Sequence, residues 1–411
     1  MHICMVLAHT YPPDVRIEKE VKSLRTAGHT VSLLCRGSLD APTREHLDGM
    51  HVVRIEEESI REKTRRLSSA AVNLLANVHP LWVRELEALV EETDADAIHV
   101  HDLPLVREGV VVGERTGIPV VADLHENYPE AIRLWREPHS LATVLDDPEF
   151  AIHWALKPVS RYKRIERRCV KAADRVVTVT EEAATHYHHD CALSPFRSTV
   201  VSNTVNLDRF TGEADPVAGY EDDFVISYVG TFGTHRGLTT AVKAMADIVA
   251  EVPNARLLLV GAGSEPYERQ LRDLASEYGV EAHVTFAGWV DFDEFPAYMA
   301  ASDVCLVPHV STPHTNTTIP HKLFQYMAMC KPVIVTDLPP LSRVVTDTDV
   351  GHVIEPENET DLAEAAIDLA TNPETAAQLG ENGRQAVEDR YNWEHDGQKL
   401  VAMYESLVES E

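Results

Sequence analysis

Short apolar runs rich in valine, isoleucine and leucine alternate with longer helical patterns along the whole chain. Runs of this kind suit strands buried on both faces, and the helices between them suit crossovers that cover a parallel sheet. Two series are present. The first has expected strands at 2–7, 31–35, 51–55, 97–101, 119–123, 175–179 and 199–201, and the second at 224–230, 256–261, 283–287, 304–307, 332–336 and 352–354. Between them, residues 206–222 are polar and broken by Pro216 and Gly219, as a linker is. A chain of 411 residues also exceeds one ordinary core. The expected fold is α/β: two doubly wound, Rossmann-like parallel-sheet domains over 1–208 and 209–392, with a last helix at about 393–409 that packs back on the first. Two such domains turn the carboxyl ends of their strands, where ligands bind, toward a shared cleft.

Residues 229–238 (VGTFGTHRGL) follow an apolar strand and precede an amphipathic helix. Glycines there let the backbone approach an anion. The helix start aims N–H groups and its positive dipole end at that anion, and Arg236 adds a full charge. A glycine-rich turn alone is a common tight connection. A second feature meets it, because after the strand that ends at Val307 and Pro308 a helix over about 321–329 carries Lys322 in its first turn. Gln325, three residues on, shares that face.

In the first half, His99 and His101 alternate on a strand and so share a face, with Asp102 at the strand end; Asp123, His125 and Glu126 end the neighbouring strand. Each alone is an ordinary polar side chain, but six of them at adjacent strand ends mark a site. The pattern HxHD with DxHE also suits zinc or manganese in a metal-dependent hydrolase, a reading that leaves Arg236 and Lys322 without a purpose.

The balance of 66 acidic against 37 basic residues, net −29, argues against nucleic acid as a partner, because a polyanion is repelled. Arginine outnumbers lysine and the acids are spread along the chain, which reads as a salt-adapted, halophilic acidic surface. Six scattered cysteines read as reduced thiols. No basic leader and no apolar run of the ~18 residues a bilayer span requires is visible, so a cytoplasmic location is expected. One segment opposes the global charge: Lys157, Arg161, Lys163, Arg164, Arg167, Arg168 and Lys171 surround a single acid, Glu166, with Tyr162, Ile165 and Cys169 at helical spacing. Its arginines either pair with acidic neighbours or dock residues 157–171 on an anionic membrane.

The order and spacing of RGL (236–238), the GAG turn (261–263), FAGWV, ASDVCLVP and KLFQYMAMCKPVIVTD resemble the donor half of retaining glycosyltransferases of family 4 (group 1), with the GT-B fold. YPPDVRIEKEVKSLRTAGHTVSLLC, IHVHDLP and ADLHENYPE resemble the matching acceptor half. The resemblance implies a UDP-, GDP- or ADP-linked nucleotide sugar as donor and a glycan or polyprenyl-linked hydroxyl as acceptor, in polysaccharide or glycan biosynthesis. By it, Arg236 and Lys322 grip the donor diphosphate, and Gly230, Thr231, Gly233, Gly261 and Gly263 line the sugar-phosphate. Gln325 stands where the family carries the second glutamate of an E-x7-E pair, which binds ribose. The first glutamate's place is Thr318, which departs from that pattern, with neighbouring Thr317 and Asn316 offering hydroxyl and amide contacts to a sugar. His125 takes the place of the catalytic histidine near the reacting carbon, Glu126 orients it or the acceptor, and Arg16, His101 and Asp102 become acceptor contacts. No metal or other cofactor and no protein nucleophile is expected, since two fixed cations stabilise the leaving diphosphate. The missing carboxylates leave room for a nucleotide-sugar-binding protein without catalysis, and the fold for a nucleotide-sugar epimerase or a phosphorylase, although no pyridoxal-phosphate lysine site is recognisable.

Overall fold

The structure, a computed structural model, describes residues 1–38, 41–56, 78–136 and 158–408. The chain divides into two compact units, Met1–Ser202 with Asp396–Glu411, and Asn203–His395.

In the first unit the elements run β1 (His2–Thr10), α1 (Val15–Thr26), β2 (Thr30–Arg36), β3 (Arg44–Leu47), β4 (Met50–Ile55), α2 (Pro80–Thr93), β5 (Ala97–His101), α3 (Leu103–Thr116), β6 (Val120–Leu124), α4 (Tyr128–Arg136), α5 (Val159–Ala172), β7 (Arg175–Thr178), α6 (Glu181–Asp190) and β8 (Ser198–Val200). The strands form one sheet in the order β3-β4-β2-β1-β5-β6-β7-β8. Every pairing is parallel except β3 with β4. Ile3, Cys4, Met5 and Val6 on β1, and all five residues of β5, are buried, as continuous apolar strands of a covered sheet must be. β3 is the strand the apolar pattern misses. Its sequence REHL is polar and half-exposed, and what makes it a strand is the hairpin turn Asp48-Gly49, whose φ values of 51° and 75° match a tight two-residue loop.

The second unit runs β9 (Phe224–Val229), α7 (Leu238–Glu251), β10 (Ala255–Val260), α8 (Glu265–Glu277), β11 (Val284–Gly288), α9 (Phe295–Ala300), β12 (Val304–Val307), α10 (His321–Ala328), β13 (Val333–Thr336), α11 (Pro339–Thr348), β14 (Gly351–Ile354), α12 (Glu359–Thr371) and α13 (Pro373–Asp389). Its sheet, β11-β10-β9-β12-β13-β14, is parallel throughout. Alternation along β9 sends Ile226 and Tyr228 into one core and Val225 and Val229 into the other, so helices cover both faces. The division falls between Ser202 and Asn203, ahead of the polar stretch 206–222. Val205 is already bridged to Asn392, and Phe210 is buried with Val225 and Tyr391. The last helix, α14 (Trp393–Val408), belongs mostly to the first unit, which it joins from Asp396 onward.

Each sheet reverses its winding once, between β1 and β5 in the first and between β9 and β12 in the second. Crevices outside the carboxyl ends of strands at such reversals are where open α/β sheets bind ligands. The expected site residues lie at the ends of β1, β5, β6, β9, β10 and β12 or in the segments that follow them. Among the described residues no helix is long and apolar enough to cross a membrane, and all six cysteines are free, five of them buried.

Candidate functional site

In the second unit the chain leaves β9 through Gly230 at φ 130°, and leaves β10 through Gly261 at φ 127°. A Cβ at Gly261 would lie 2.1 Å from the Gly230 carbonyl oxygen, so only glycine permits the two turns to press backbone on backbone. Gly263 is similarly tight, with a Cβ 2.8 Å from Phe232, and its N–H donates to the Glu268 carboxylate at 2.8 Å. Thr231 accepts from the Tyr228 hydroxyl through its carbonyl at 2.8 Å, and Gly233 opens the single 3-10 turn Thr234–Arg236. Gly237 then starts α7, lying so close to the exit of β12 that a Cβ would stand 1.7 Å from the Pro308 carbonyl oxygen. That contact brings Arg236 to the strand end: its Nη1 is 3.2 Å from Nε2 of His309.

Lys322 enters from the other side, in the first turn of α10, whose N-cap is Pro320. Its side chain is buried, with Nζ 3.3 Å from the centre of the Tyr228 ring and 2.9 Å from where a Gly230 Cβ would sit. That ammonium nitrogen has no hydrogen-bond partner among the described residues. Burial first, and then the charge of Arg236, hold its pKa well below the usual lysine value. Burial followed by Arg236, His314 and Lys322 pushes His235 down to about 3, and burial with Arg236 and Lys322 takes His309 well below its ordinary value. Neither α7 nor α10 has a side-chain cap at its N-terminus, so neither end spends a carboxylate or hydroxyl on its first amides. Gln325 is buried one turn beyond Lys322. Thr317 and Thr318 tie down the loop before α10, their hydroxyls donating at 3.1 Å to the His314 carbonyl.

In the first unit, Asp14 caps α1 by accepting from the Arg16 and Ile17 amides at 3.0 and 3.1 Å, which turns Arg16 and Glu20 to one face. Arg16 grips Asp123 with two bonds, Nε to Oδ2 at 3.0 Å and Nη2 to Oδ1 at 2.9 Å, donates to the Val201 carbonyl, and lies 2.9 Å from Glu20. His99 and His101 share the expected face of β5, with ring centres 4.6 Å apart, and both are fully buried. Nδ1 of His99 is 2.6 Å from the Tyr404 hydroxyl, and its Nε2 faces Glu20 and Asp123 at 3.5 and 3.4 Å. His125 sits between two carboxylates: Nε2 is 2.9 Å from Asp123, Nδ1 is 3.3 Å from Asp102, and its amide donates to Asp102 at 3.1 Å. Its side chain is 20% exposed, so it is where the network meets solvent.

Burial disfavours charge on His125, but Asp102 and Asp123 override it and raise its pKa well above the ordinary histidine value. Asp123 is likewise pushed up by burial and pulled well below the carboxylate range by Arg16 and His125, and Asp102 is lowered against its own burial by His125. Glu20 goes the other way: burial, then the negative Asp123, raise it well above its usual value. The network therefore favours charge on Arg16, His125, Asp102 and Asp123 and disfavours it on Glu20.

Residues 213–386 match the family model for glycosyl transferases group 1, and residues 15–209 match that for glycosyltransferase family 4. The chain belongs to the group 1 glycosyltransferases. It is a transferase of GT-B fold. D-inositol 3-phosphate glycosyltransferase 2 of Catenulispora acidiphila is 27% identical over 344 residues, 80% of this chain and 74% of that protein. The GDP-mannose-dependent alpha-(1-6)-phosphatidylinositol monomannoside mannosyltransferase of Mycolicibacterium smegmatis is 26% identical over 262 residues, 61% of this chain and 67% of that protein. Among solved structures, sucrose-phosphate synthase from Thermosynechococcus elongatus matches with a TM-score of 0.76 over 100% of both chains, at 21% identity.

Within this glycosyltransferase, Arg16 and His101 are buried, at 4% and 0% exposure, with Arg16 on Asp123 and His101 beside Asp123 and His125. Glu126 follows His125 half-buried, its carbonyl accepting from the Tyr187 hydroxyl at 3.3 Å. The pattern of single residues misses Glu20, although it lies one turn from Arg16, and it misses Tyr404, which no local signal links to His99. The donor atoms of Glu20, His99, His101 and Asp123 lie within 4.8 Å of one another, close enough to hold a metal ion, but the two carboxylates already face the Arg16 guanidinium. On α5, Ile165 and Cys169 pack into the first core, Lys163 pairs with Glu130 at 2.6 Å, and Arg164, Arg167, Arg168 and Lys171 are exposed. Lys157 lies outside the described residues. Beside them Phe196 is 94% exposed, its neighbour Arg197 donating to the Lys171 carbonyl at 3.1 Å.

Proposed function

We propose that this glycosyltransferase moves a sugar from a nucleoside diphosphate to a hydroxyl of a lipid-linked or glycan acceptor, with retention at the anomeric carbon and without a metal. One observation carries the donor reading: the buried Lys322 ammonium stands unpartnered beside Arg236, against turns that only glycine can make. Two adjacent cations without a carboxylate are costly unless an anion joins them. The named donor of the mycobacterial relative, GDP-mannose, is such a diphosphate ester. As the anomeric C–O bond breaks, the charge growing on the leaving diphosphate is met by Arg236 and Lys322. The acceptor oxygen bonds to the same face of that carbon, and its proton passes to a leaving phosphate oxygen.

His125 suits this scheme as a hydrogen-bond donor. An imidazole kept charged by two carboxylates cannot serve as general base, which leaves that task to the phosphate. Asp123 holds it at 2.9 Å on one side, and Asp102, partly exposed, lies at 3.3 Å on the other. Asp102 and Glu126 are assigned to the acceptor.

The exposed basic face of α5 with Phe196 fits a peripheral contact with an anionic membrane surface, where a lipid-linked acceptor would lie. Flotation with anionic vesicles but not neutral ones is the expected result, and absence from both ends that reading. The donor reading is tested by thermal shift with UDP-, GDP- and ADP-sugars in EDTA. One nucleotide class should stabilise the native protein and fail to stabilise the variant carrying Arg236→Ala and Lys322→Ala.

A further inference from the structure

The nest that holds Arg236 and Lys322 is surrounded by imidazoles. His235 lies in the turn after β9, His309 directly after β12, and His314 in the loop leading to α10. The His235 ring centre is 6.4 Å from that of His309 and 6.1 Å from that of His314. A guanidinium has only N–H donors, so Nη1 of Arg236 at 3.2 Å requires a lone pair on Nε2 of His309. His309 is therefore neutral here, and protonating it would set two donors against each other.

Among the described residues, the remaining neighbours named for these groups supply no negative charge. Thr336 on β13 donates its hydroxyl to the His309 carbonyl, the His235 carbonyl accepts from Val310, and the neutral Tyr228 ring on β9 lies under Lys322. The charged groups that act on His235 and His309 are Arg236 and Lys322, with the other imidazoles, and the one that acts on Lys322 is Arg236. In the adjoining turn the Glu268 carboxylate is engaged by the Gly263 N–H. In a chain of 66 acids and 37 bases, this gathering of Arg236, Lys322 and three imidazoles is a positively charged exception.

We infer that the donor diphosphate binds here together with protons, taken up by His235, His309 and Lys322, so that donor affinity falls as pH rises. The inference rests on the reading of this nest as the donor site. In the empty protein each of these groups is discouraged from carrying charge by burial and by cationic neighbours. A diphosphate reverses the local field, each imidazolium or ammonium gains an anionic partner, and Nε2 of His309 can turn from accepting to donating. Every proton taken up makes the affinity fall up to tenfold per pH unit between the pKa of the empty and of the occupied site.

A nucleotide sugar is the right probe, because its diphosphate is a diester with no ionisation of its own near neutral pH. The native protein is titrated calorimetrically at pH 7 with the nucleotide sugar that stabilises it, in HEPES, ACES and Tris, whose heats of protonation differ. Phosphate is avoided as a competitor. The expected result is a binding heat that varies with the buffer by at least one proton taken up per site, reduced in His309→Gln and in Lys322→Arg. Saturable binding whose heat is the same in every buffer overturns the inference and leaves the donor reading standing. No binding by any nucleotide sugar overturns both. Because the decisive titration uses the native protein, its outcome holds even where a variant fails to fold.

Discussion

Lys322→Met should make the empty protein more stable while it weakens donor binding. Methionine keeps an unbranched apolar stem of similar reach and removes only the nitrogen that lacks a partner. A buried polar group left unsatisfied costs about 1–3 kcal/mol, and a charged one more. Burial and Arg236 disfavour the charge through which the Tyr228 ring, 3.3 Å from Nζ, would repay that cost. The expected net gain in the absence of ligand is about 1–2 kcal/mol. For a unit of this size, that is a rise in Tm of about 2–8 °C. A charge-assisted hydrogen bond to a phosphate oxygen is worth about 1.5–3 kcal/mol, so the same variant should bind the nucleotide sugar about 10- to 150-fold more weakly. Thermal denaturation without ligand, followed by calorimetric titration, reads both quantities on one preparation. A variant that melts below the native protein without ligand, or that binds the donor equally well, would refute the view that Lys322 is an unneutralised group kept for an anion.

Gly261→Ala should destabilise by about 3 kcal/mol or more, since it combines a φ of 127° with a Cβ 2.1 Å from the Gly230 carbonyl oxygen. Gly279→Ala, at φ 68° with nothing within 4 Å, should cost only about 1 kcal/mol, and urea denaturation of the pair separates close approach from backbone strain. The raised pKa of His125 means that the folded chain keeps a proton the unfolded chain has lost above about pH 6.5. Its stabilising contribution is fully present below that pH and disappears as pH rises through the folded pKa, by up to about 1.4 kcal/mol per unit. Urea midpoints across pH 6 to 9 should fall less steeply in His125→Gln than in the native protein, and parallel curves would count against a charged His125. With a net charge of −29, self-repulsion opposes folding at low ionic strength. The Tm should climb with potassium chloride into the molar range, and indifference to salt would remove the case for a salt-adapted surface.

Apolar runs locate the strands because strands buried on both faces have no alternation to confuse, and this holds for both sheets. It fails at β3, a polar edge strand created by the Asp48-Gly49 turn and not by its own residues. The second-unit nest is legible for a related reason. Its glycines, Arg236 and Lys322 each lie within one turn or one helix start of a strand end, so local pattern reveals them. The part His309 plays is not local. It depends on β12 lying next to β9, with Gly237 pressed on Pro308, and that pairing belongs to the sheet order.

The first-unit network is hidden more deeply, for reasons of distance and of charge. Asp123 draws Arg16 from 107 residues away, and His99 meets Tyr404 across 305. Once buried, such groups persist only if their charges close, and here Arg16 and His125 meet Asp102 and Asp123 while burial and Asp123 disfavour charge on Glu20. The second unit does the opposite, holding Arg236 and Lys322 among imidazoles with no carboxylate on them among the described residues. The difference matches what each unit would bind. A neutral hydroxyl acceptor is oriented by a balanced hydrogen-bonding array that would repay no net charge, whereas a diphosphate is drawn to a site left electrically incomplete. If that division of labour is right, charge-reversing substitutions around Arg236 should act on donor affinity, and substitutions around Asp102 should act on the acceptor. The pair of Michaelis constants, measured separately for each substrate, would show whether the two effects part in this way.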